Sequence, residues 1–475
     1  MISQDLMAPI MFGGLIVFLL IGYPAAFSLG AVGLFFSFIG IEMGMFQPTF
    51  LQALPDRVFG ILSNDLLLSI PFFTFMGAIL EKCGLAEDML EGLGQLFGPI
   101  RGGLAYAVII VGAILGAITG TVAASVIAMG LISLPIMLRY GYNPRVATGV
   151  IAASGTITQL IPPSLVLIVL ADQLGKSVGD MYAGAIGPSI IQIALFCLFI
   201  FFLSIFRPQD VPALPPEARP KIDWKLFKKI LWGIVPSIAL IFLVLGTILM
   251  GLATPTEGGA MGSVGALVLA AMNKRLQKTL VWDAMTSTMR INAMVIFILI
   301  GSTVFGLAFR GVDGDLWIEH LLSGLPGGQI GFLIVVNLFV FFLAFFLDYF
   351  EIAFIIIPLL APVAQKLGID LIWFGVLLGA NMQTSFMHPP FGFALFYLRG
   401  VAPKSVKSSD IYYGALPWVG LQLILVAIII FVPETVTYFI DKPAIAVDAN
   451  AISVDPLAGV EQNEITVDSS SEIER

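Results

Sequence analysis

Residues 154–163 read SGTITQLIPP, and residues 381–390 read NMQTSFMHPP. Each is a run rich in hydroxyl and amide side chains that ends in a double proline inside an otherwise apolar stretch. The two lie 227 positions apart, and that register holds without a gap between 116–170 and 343–397, where Pro135 falls on Pro362 and Gly141 on Gly368. Upstream, Gly84 meets Gly311 and Pro99 meets Pro326. Near the start an offset of 229 pairs Gly22, Gly30, Ala31 and Gly33 with Gly251, Gly259, Ala260 and Gly262. A weak internal repeat in a hydrophobic chain points to a membrane architecture of two related halves.

Composition agrees. The chain is 58% hydrophobic and 11% charged, where soluble domains carry about 25% charged residues. Apolar runs of bilayer-crossing length, ~20 residues, recur at 8–40, 187–206, 231–250, 291–309, 371–397 and 414–433. The expectation is an all-α polytopic membrane protein. A membrane β-barrel would need alternating segments of ~10 residues, and the chain has none. Cys83 and Cys197 sit in or beside apolar segments without metal-ligand spacing and read as packing residues. The first apolar run follows Asp5 with no Lys or Arg before it, so it reads as a retained helix and not a cleaved signal. The acidic segment 436–475 reads as a disordered tail. It supplies much of the net charge of −8, so that charge implies no acidic partner, and no nucleic acid is expected.

Loop charge suggests that the halves are inverted. The first-half loop 41–65 holds only Arg57, while its counterpart 273–290 holds Lys274, Arg275, Lys278 and Arg290. After the first double proline comes Lys176 alone, and after the second come Arg399, Lys404 and Lys407. Unequal basic content in equivalent loops places them on opposite membrane faces. The linker 207–229, with Arg207, Arg219, Lys221, Lys225, Lys228 and Lys229, is then cytoplasmic. The domains read as a first repeat over 1–206, the linker 207–229, a second repeat over 230–435, and the tail. Five crossings per half follow: 8–24, 25–41, 66–82, 145–170 and 187–206, then 231–250, 255–272, 291–309, 371–397 and 414–433. Both termini fall outside the cytoplasm.

Segments 104–138 and 331–365 are too long for one crossing and too short for two. They read as re-entrant hairpins, one from each face, opposite the broken helices 145–170 and 371–397. Irregular backbone at membrane depth is tolerated only inside protein or along an aqueous cavity, so the four tips are the site candidates. The first pair offers Thr119, Gly120 and Thr121 with Ser154, Gly155, Thr156, Thr158 and Pro163. Prolines remove amide donors and leave upstream carbonyls to be satisfied, and hydroxyls with carbonyls suit a bare cation such as Na⁺. The second pair offers Asp348 and Glu351 with Asn381, Gln383, Thr384, Ser385 and His388. Carboxylates amid apolar residues cost several kcal/mol in a bilayer and mark substrate or coupling sites unless they pair structurally. Glu257, in GLATPTEG at 251–258, reads as a helix cap.

The stretches GLATPTEG, ATGVIAASGTITQLIPP at 147–163, GGLAY at 102–106 and GIDLIWFGV at 368–376 carry a resemblance over about residues 5–435. The chain resembles the large membrane subunit of tripartite ATP-independent periplasmic (TRAP) transporters. The resemblance implies Na⁺-coupled symport of organic acids such as dicarboxylates across the bacterial inner membrane, without an organic cofactor or enzymatic step. It implies an elevator-type movement against a scaffold with amphipathic arms near 46–62 and 274–290. It also implies two partners: a small four-helix membrane subunit and a periplasmic binding protein that delivers substrate. The first Na⁺ site is then expected at Thr119 and Thr121 with the backbone of 158–163, and the second at 385–391 with the second hairpin tip. His388 departs from the Thr usual before the double proline, which opens partial H⁺ coupling as a variant. A stand-alone divalent-anion symporter is the alternative. A membrane-embedded enzyme lacks any HExxH or paired histidines to build on.

Overall fold

The computed structural model describes residues 4–219, 224–389 and 392–440, and every described element is helical. The predicted acidic tail and part of the basic linker lie outside the described residues. Seven described helices are long and apolar enough to cross a membrane, among them Ala25–Glu42, Val178–Phe206, Lys278–Gly311 and Ser408–Phe431. Shorter apolar helices, such as Leu165–Leu174, complete the set. This is an all-α polytopic membrane protein.

The repeat marks in the sequence fall at matching structural events. Gly141 and Gly368 both take positive φ, +83° and +73°, a conformation that only glycine adopts freely. Each turns the chain out of a hairpin. Two residues later Asn143 and Asp370 cap the following helix: Asn143 accepts from the Arg145 amide, and Asp370 from the Ile372 and Trp373 amides. Helix Pro144–Thr156 runs into the 3₁₀ turn Ile157–Gln159, and Leu371–Met382 into Gln383–Phe386. Beyond each break a second helix, Leu165–Leu174 or Phe393–Val401, resumes.

Contacts along the helices give their directions. Phe27 meets Phe297, a Cβ on Gly33 would touch the Phe305 backbone, and Gly311 lies against Phe46 and Phe50. Ala25–Glu42 and Lys278–Gly311 are therefore parallel. Thr256 donates to the Asp65 carbonyl, Gly262 abuts Met76, and Asn273 donates to the Cys83 carbonyl. Pro255–Met272 and Ser69–Lys82 are parallel too. Each second helix of one repeat thus packs on the third helix of the other. The two third helices are antiparallel, because Lys82 at one end pairs with Asp283 at 3.0 Å while Leu67 and Phe305 border the same cleft at the other. The broken helices follow the same rule. Pro144–Thr156 runs parallel to Ser408–Phe431, from Arg145–Asp410 to Thr156–Gln422. Leu371–Met382 runs antiparallel to it, from Trp373–Ile429 to Met387–Gln422. Equivalent elements of opposite direction are inverted repeats.

Some expected boundaries shift. The arm expected at 274–290 is not separate from the span 291–309, because Lys278–Gly311 is one helix of 34 residues. No Gly or Pro lies at the expected junction to break it. The first-half counterpart does break, into Pro48–Ala53, Leu54–Leu62 and Ser69–Lys82. Val178–Phe206 starts nine residues before the expected 187, where the Ser177 hydroxyl caps it. Helices Leu85–Leu96 and Gly314–Ser323 precede the hairpins and were not expected; both begin with acidic residues that suit a helix N-terminus. Thr254 and Glu257 form the anticipated cap as a reciprocal capping box.

Glycine lets the parallel helices touch. A Cβ on Gly149 would lie 2.2 Å from the Gly414 carbonyl and 2.6 Å from Trp418 Nε1. Both contacts are to groups fixed in a helix, so Gly149→Val should cost ~1–3 kcal/mol or more by overpacking. A lowered thermal unfolding midpoint in detergent checks this, with the exposed Gly400→Ala as the near-neutral control.

Candidate functional site: two helix breaks facing two hairpin tips

The first hairpin consists of Gly103–Thr119 and Val122–Arg139, with Gly120 at φ +62° making the turn. The second consists of Gly328–Leu343 and a helix that begins at Tyr349 and passes through a π turn, Ile352–Ile356, to Lys366. Thr121 and Asp348, 227 positions apart, are the N-cap residues of the two second arms.

The first tip and the first break are in van der Waals contact. A Cβ on Gly116 would sit 2.9 Å from Thr158 Cα, and one on Gly112 would sit 2.6 Å from Ser154 Cβ. Thr119 is buried and its hydroxyl lies 3.1 Å from that of Ser125. Thr156 and Thr158 donate to the carbonyls of Ala153 and Gly155, and Thr384 donates to Asn381. A hydroxyl that donates inward keeps its lone pairs, so these three remain cation ligands in chemistry. Gly155 packs against Val126, whose Cγ2 would lie 2.2 Å from a Cβ there. Pro163 follows Pro162 through a cis bond.

The expectation that the double proline leaves its upstream carbonyls for an ion is corrected in part. Ser164 donates to the Gln159 carbonyl at 2.6 Å, and Ser189 to that of Leu160 at 3.1 Å. A protein hydroxyl within reach satisfies each carbonyl without an ion. Among the described residues, the buried side-chain oxygens at the two breaks that lack partners include Ser154 Oγ, Gln159 Oε1, Asn381 Oδ1 and Ser385 Oγ. Ser154 and Asn381 are repeat mates. Hard, uncharged oxygens in a dry interior fit an alkali cation, and any such ion would be held by them with the neighbouring threonines. Among the described residues no cluster of His, Cys, Asp and Glu could hold a transition metal.

The second constellation is organised differently. Asp348 accepts from the Glu351 amide at 2.9 Å, and Glu351 accepts from the Asp348 amide at 3.1 Å. The two carboxylates form a capping box that starts the second arm, and this local pairing accounts for both without a ligand. His388, expected at the second ion site, is clamped between the rings of Phe341 and Phe345, with centroids at 4.5 and 4.0 Å. Among the described residues, neither ring nitrogen has a hydrogen-bond partner of good geometry. Its placement is that of a packing residue. Pro390 and Phe391 lie outside the described residues.

Three interior polar residues escaped the sequence reading. Asn337, in the first arm of the second hairpin, receives the Asn381 amide on its carbonyl at 2.7 Å and on its Oδ1 at 3.1 Å. Gln192 donates to Gln383 Oε1 at 2.7 Å, and Gln422 donates to Thr156 Oγ1 at 3.0 Å. The signal was available: at an offset of 230, residues 180–192 and 410–422 share Asp180/Asp410, Tyr182/Tyr412, Gly184/Gly414, Ala185/Ala415 and Gln192/Gln422.

The environment of the two tips is unequal. Met76 and Phe305 occupy mirrored contacts, so Gly77 and Gly306 are equivalent. A Cβ on Gly77 would lie 2.0 Å from the Thr119 carbonyl, whereas nothing lies within 4 Å of one on Gly306. Gly306 instead borders a cleft of about 680 Å³. Arg57, Asn64, Ser302 and Arg310 line one wall, and Asp172, Phe354 and Pro358 line the other. Asn64 bridges the walls with a 2.7 Å bond to Asp172.

Inverted repeats, paired hairpins and broken helices that meet in the interior define a membrane carrier architecture. The fold is shared with the YdaH transporter from Alcanivorax borkumensis, with a TM-score of 0.57, 16% identity, and coverage of 80% of this chain and 86% of that one. The chain belongs to the tripartite ATP-independent periplasmic transporter family, DctM component, whose model matches residues 12–435. It is 29% identical over 90% of its length to the C4-dicarboxylate TRAP transporter large permease protein of Rhodobacter capsulatus, covering 97% of that protein. It is 26% identical to the isethionate TRAP transporter permease of Oleidesulfovibrio alaskensis and 25% identical to the sialic acid TRAP transporter permease of Haemophilus influenzae. The matches take in 91% and 89% of this chain, and 66% of each of those longer proteins. It is therefore a TRAP large permease subunit and a multi-span membrane protein.

The capping box yields a test of Asp348. Asp348→Ala should lose about 1 kcal/mol, the worth of an N-cap, while Asp348→Asn should retain it because Asn caps equally well. Thermal unfolding and uptake of the two variants decide between a cap and a required negative charge: a carboxylate acting on substrate or proton would be lost in both.

Proposed function

We propose that this chain is the transport subunit of a bacterial inner-membrane, Na⁺-coupled carrier for small organic acids, with both termini on the periplasmic side. A periplasmic binding protein delivers the substrate and a small four-helix membrane subunit completes the scaffold. The relatives' names cover dicarboxylate, sulfonate and sugar-acid substrates, and what they share is an anionic acid group. The observation that carries the reading is the inequality of Gly77 and Gly306 within a symmetric frame. The first hairpin tip is shut against the scaffold at Gly77, while Gly306 and the second arm of the other hairpin, at Phe354 and Pro358, border a cleft, the arrangement of a carrier with one face closed.

Alternation then follows by exchange. In the opposite state the Phe346 carbonyl, the counterpart of that of Thr119, seats against Gly306, and Thr119 leaves Gly77. The helices that carry hairpins and breaks move together against Ala25–Glu42, Ser69–Lys82, Pro255–Met272 and Lys278–Gly311, an elevator movement. Na⁺ is supported by the partnerless oxygens of Ser154, Asn381 and Ser385. The proton variant loses support, since no described carboxylate forms an ion pair with His388 and two phenyl rings give an imidazolium no counter-charge.

Liposomes containing the assembled complex, offered a panel of organic acids with the cognate binding protein, test the coupling. Uptake should follow an inward Na⁺ gradient and ignore an imposed pH gradient; uptake driven by pH alone removes the Na⁺ reading. Gly306→Leu should abolish net uptake by filling the second seat, while Na⁺-dependent thermal stabilisation of the purified complex persists. Wild-type uptake in that variant would mean that no tip docks there.

A further inference from the structure

The two helix breaks are tied to each other by glutamines that come from the wrong repeat. Gln192 lies on Val178–Phe206 of the first repeat and bonds Gln383, in the break of the second. Gln422 lies on Ser408–Phe431 of the second repeat and bonds Thr156, in the break of the first. Thr156 and Gln383 are mates at an offset of 227, and the glutamines are mates at 230, so one bond is the two-fold image of the other. All four residues are buried, with exposures of 0%. A third contact closes the circuit: Met387 Sδ, beyond the second break, lies 3.7 Å from Thr156 Oγ1 and 4.0 Å from Gln422 Nε2.

Neither glutamine is fully satisfied. Among the described residues, Oε1 of Gln192, Oε1 of Gln422 and Nε2 of Gln383 have no partner. In a dry interior an apolar residue of similar size would be the more stable choice. Two half-satisfied glutamines at symmetric positions in apolar helices are therefore costly, and the bond that each makes to a break is the feature that distinguishes it from a packing residue.

We propose that Gln192 and Gln422 are positioning residues that couple the two breaks, so that filling one site with a cation sets the geometry of the other and the two sites load cooperatively. A cation drawn to the Ser154–Thr158 turn orients Thr156, and Gln422 passes that orientation to Met387, just beyond the opposite break. Gln383 and Gln192 carry the reciprocal influence, as linkage demands of any binding coupling. Both breaks then reach their loaded shape together, before the hairpins move. The inference rests on the Na⁺-coupled reading above.

The test uses the complete reconstituted complex with its binding protein and a transported organic acid. Gln192→Met and Gln422→Met keep volume and remove the hydrogen bond. Initial uptake against Na⁺ concentration should be sigmoidal in wild type, with a Hill coefficient near 2. In each variant the coefficient should fall toward 1 and half-saturating Na⁺ should rise ~3–10-fold, about 0.7 to 1.4 kcal/mol by the tenfold-per-1.4 kcal/mol rule. The double variant should be no worse than the weaker single one, because one coupling is being removed. Na⁺-dependent thermal shifts of the purified complex should report the same loss without transport. Variants of wild-type thermal stability that keep the wild-type Hill coefficient overturn the proposal and leave the function standing. A wild type indifferent to Na⁺ overturns the function and this inference with it. Should one variant fail to assemble, the other decides alone, since each glutamine serves a different break.

Discussion

Backbone groups freed where a helix breaks inside a membrane have no water to turn to, and the fold is arranged around two such breaks. At the first, Ser164 and Ser189 supply hydroxyls to the carbonyls of Gln159 and Leu160. Tip and break approach so closely that Gly112 and Gly116 leave no room for a methyl group. Water is thereby excluded from the break, which raises the strength of every polar contact inside it. The few oxygens left over, Ser154 Oγ and Asn381 Oδ1 among them, then count for more than they would at a surface.

Enclosing both breaks requires that each repeat be covered by the other. Ala25–Glu42 packs on Lys278–Gly311 and Pro255–Met272 on Ser69–Lys82, while Pro144–Thr156 runs along Ser408–Phe431. Neither half has a closed interior alone, and the described residues up to Ile440 fall in one compact unit. Trp418, fully buried between Phe196 and Phe199, is a good example: its pocket is made jointly by long helices of opposite repeats.

Much of this frame was legible in the sequence because it depends on residues with few conformational choices. Gly141 and Gly368 mark backbone turns, Pro162 and Pro163 end a helix, and Thr254 with Glu257 spells a capping box. Each acts locally, so spacing reveals it. Inversion was legible through loop charge and is borne out by helix direction. The site was less legible, since its chemistry depends on which polar atoms remain unpaired after packing. Thr158 and Ser385 are repeat mates, yet one hydroxyl is engaged and the other is not. Asp348 and Glu351 stood out as buried charges, and only their mutual geometry identifies a cap. Gln192 and Gln422 passed unnoticed because a lone amide in a long apolar helix has no local pattern; its meaning lies in a partner about 190 or 270 positions away. The expected junction near 290 failed for the opposite reason: charge suggested a separate arm where the backbone had no residue to break it.

That unbroken helix gives the two faces of the molecule different mechanics. At 1.5 Å per residue, Lys278–Gly311 is about 51 Å long, well beyond the ~30 Å hydrocarbon thickness. It behaves as a strut. Its counterpart is jointed at 63–68, between Leu54–Leu62 and Ser69–Lys82, and behaves as a knuckle, with Asn64 at the joint reaching across to Asp172. Bending stiffness is therefore concentrated in one leaflet and compliance in the other. A change in bilayer thickness would load the strut and tilt it, while the jointed side would absorb the same change by folding at its elbow. Lipid composition acts on the two faces of this protein with unequal leverage.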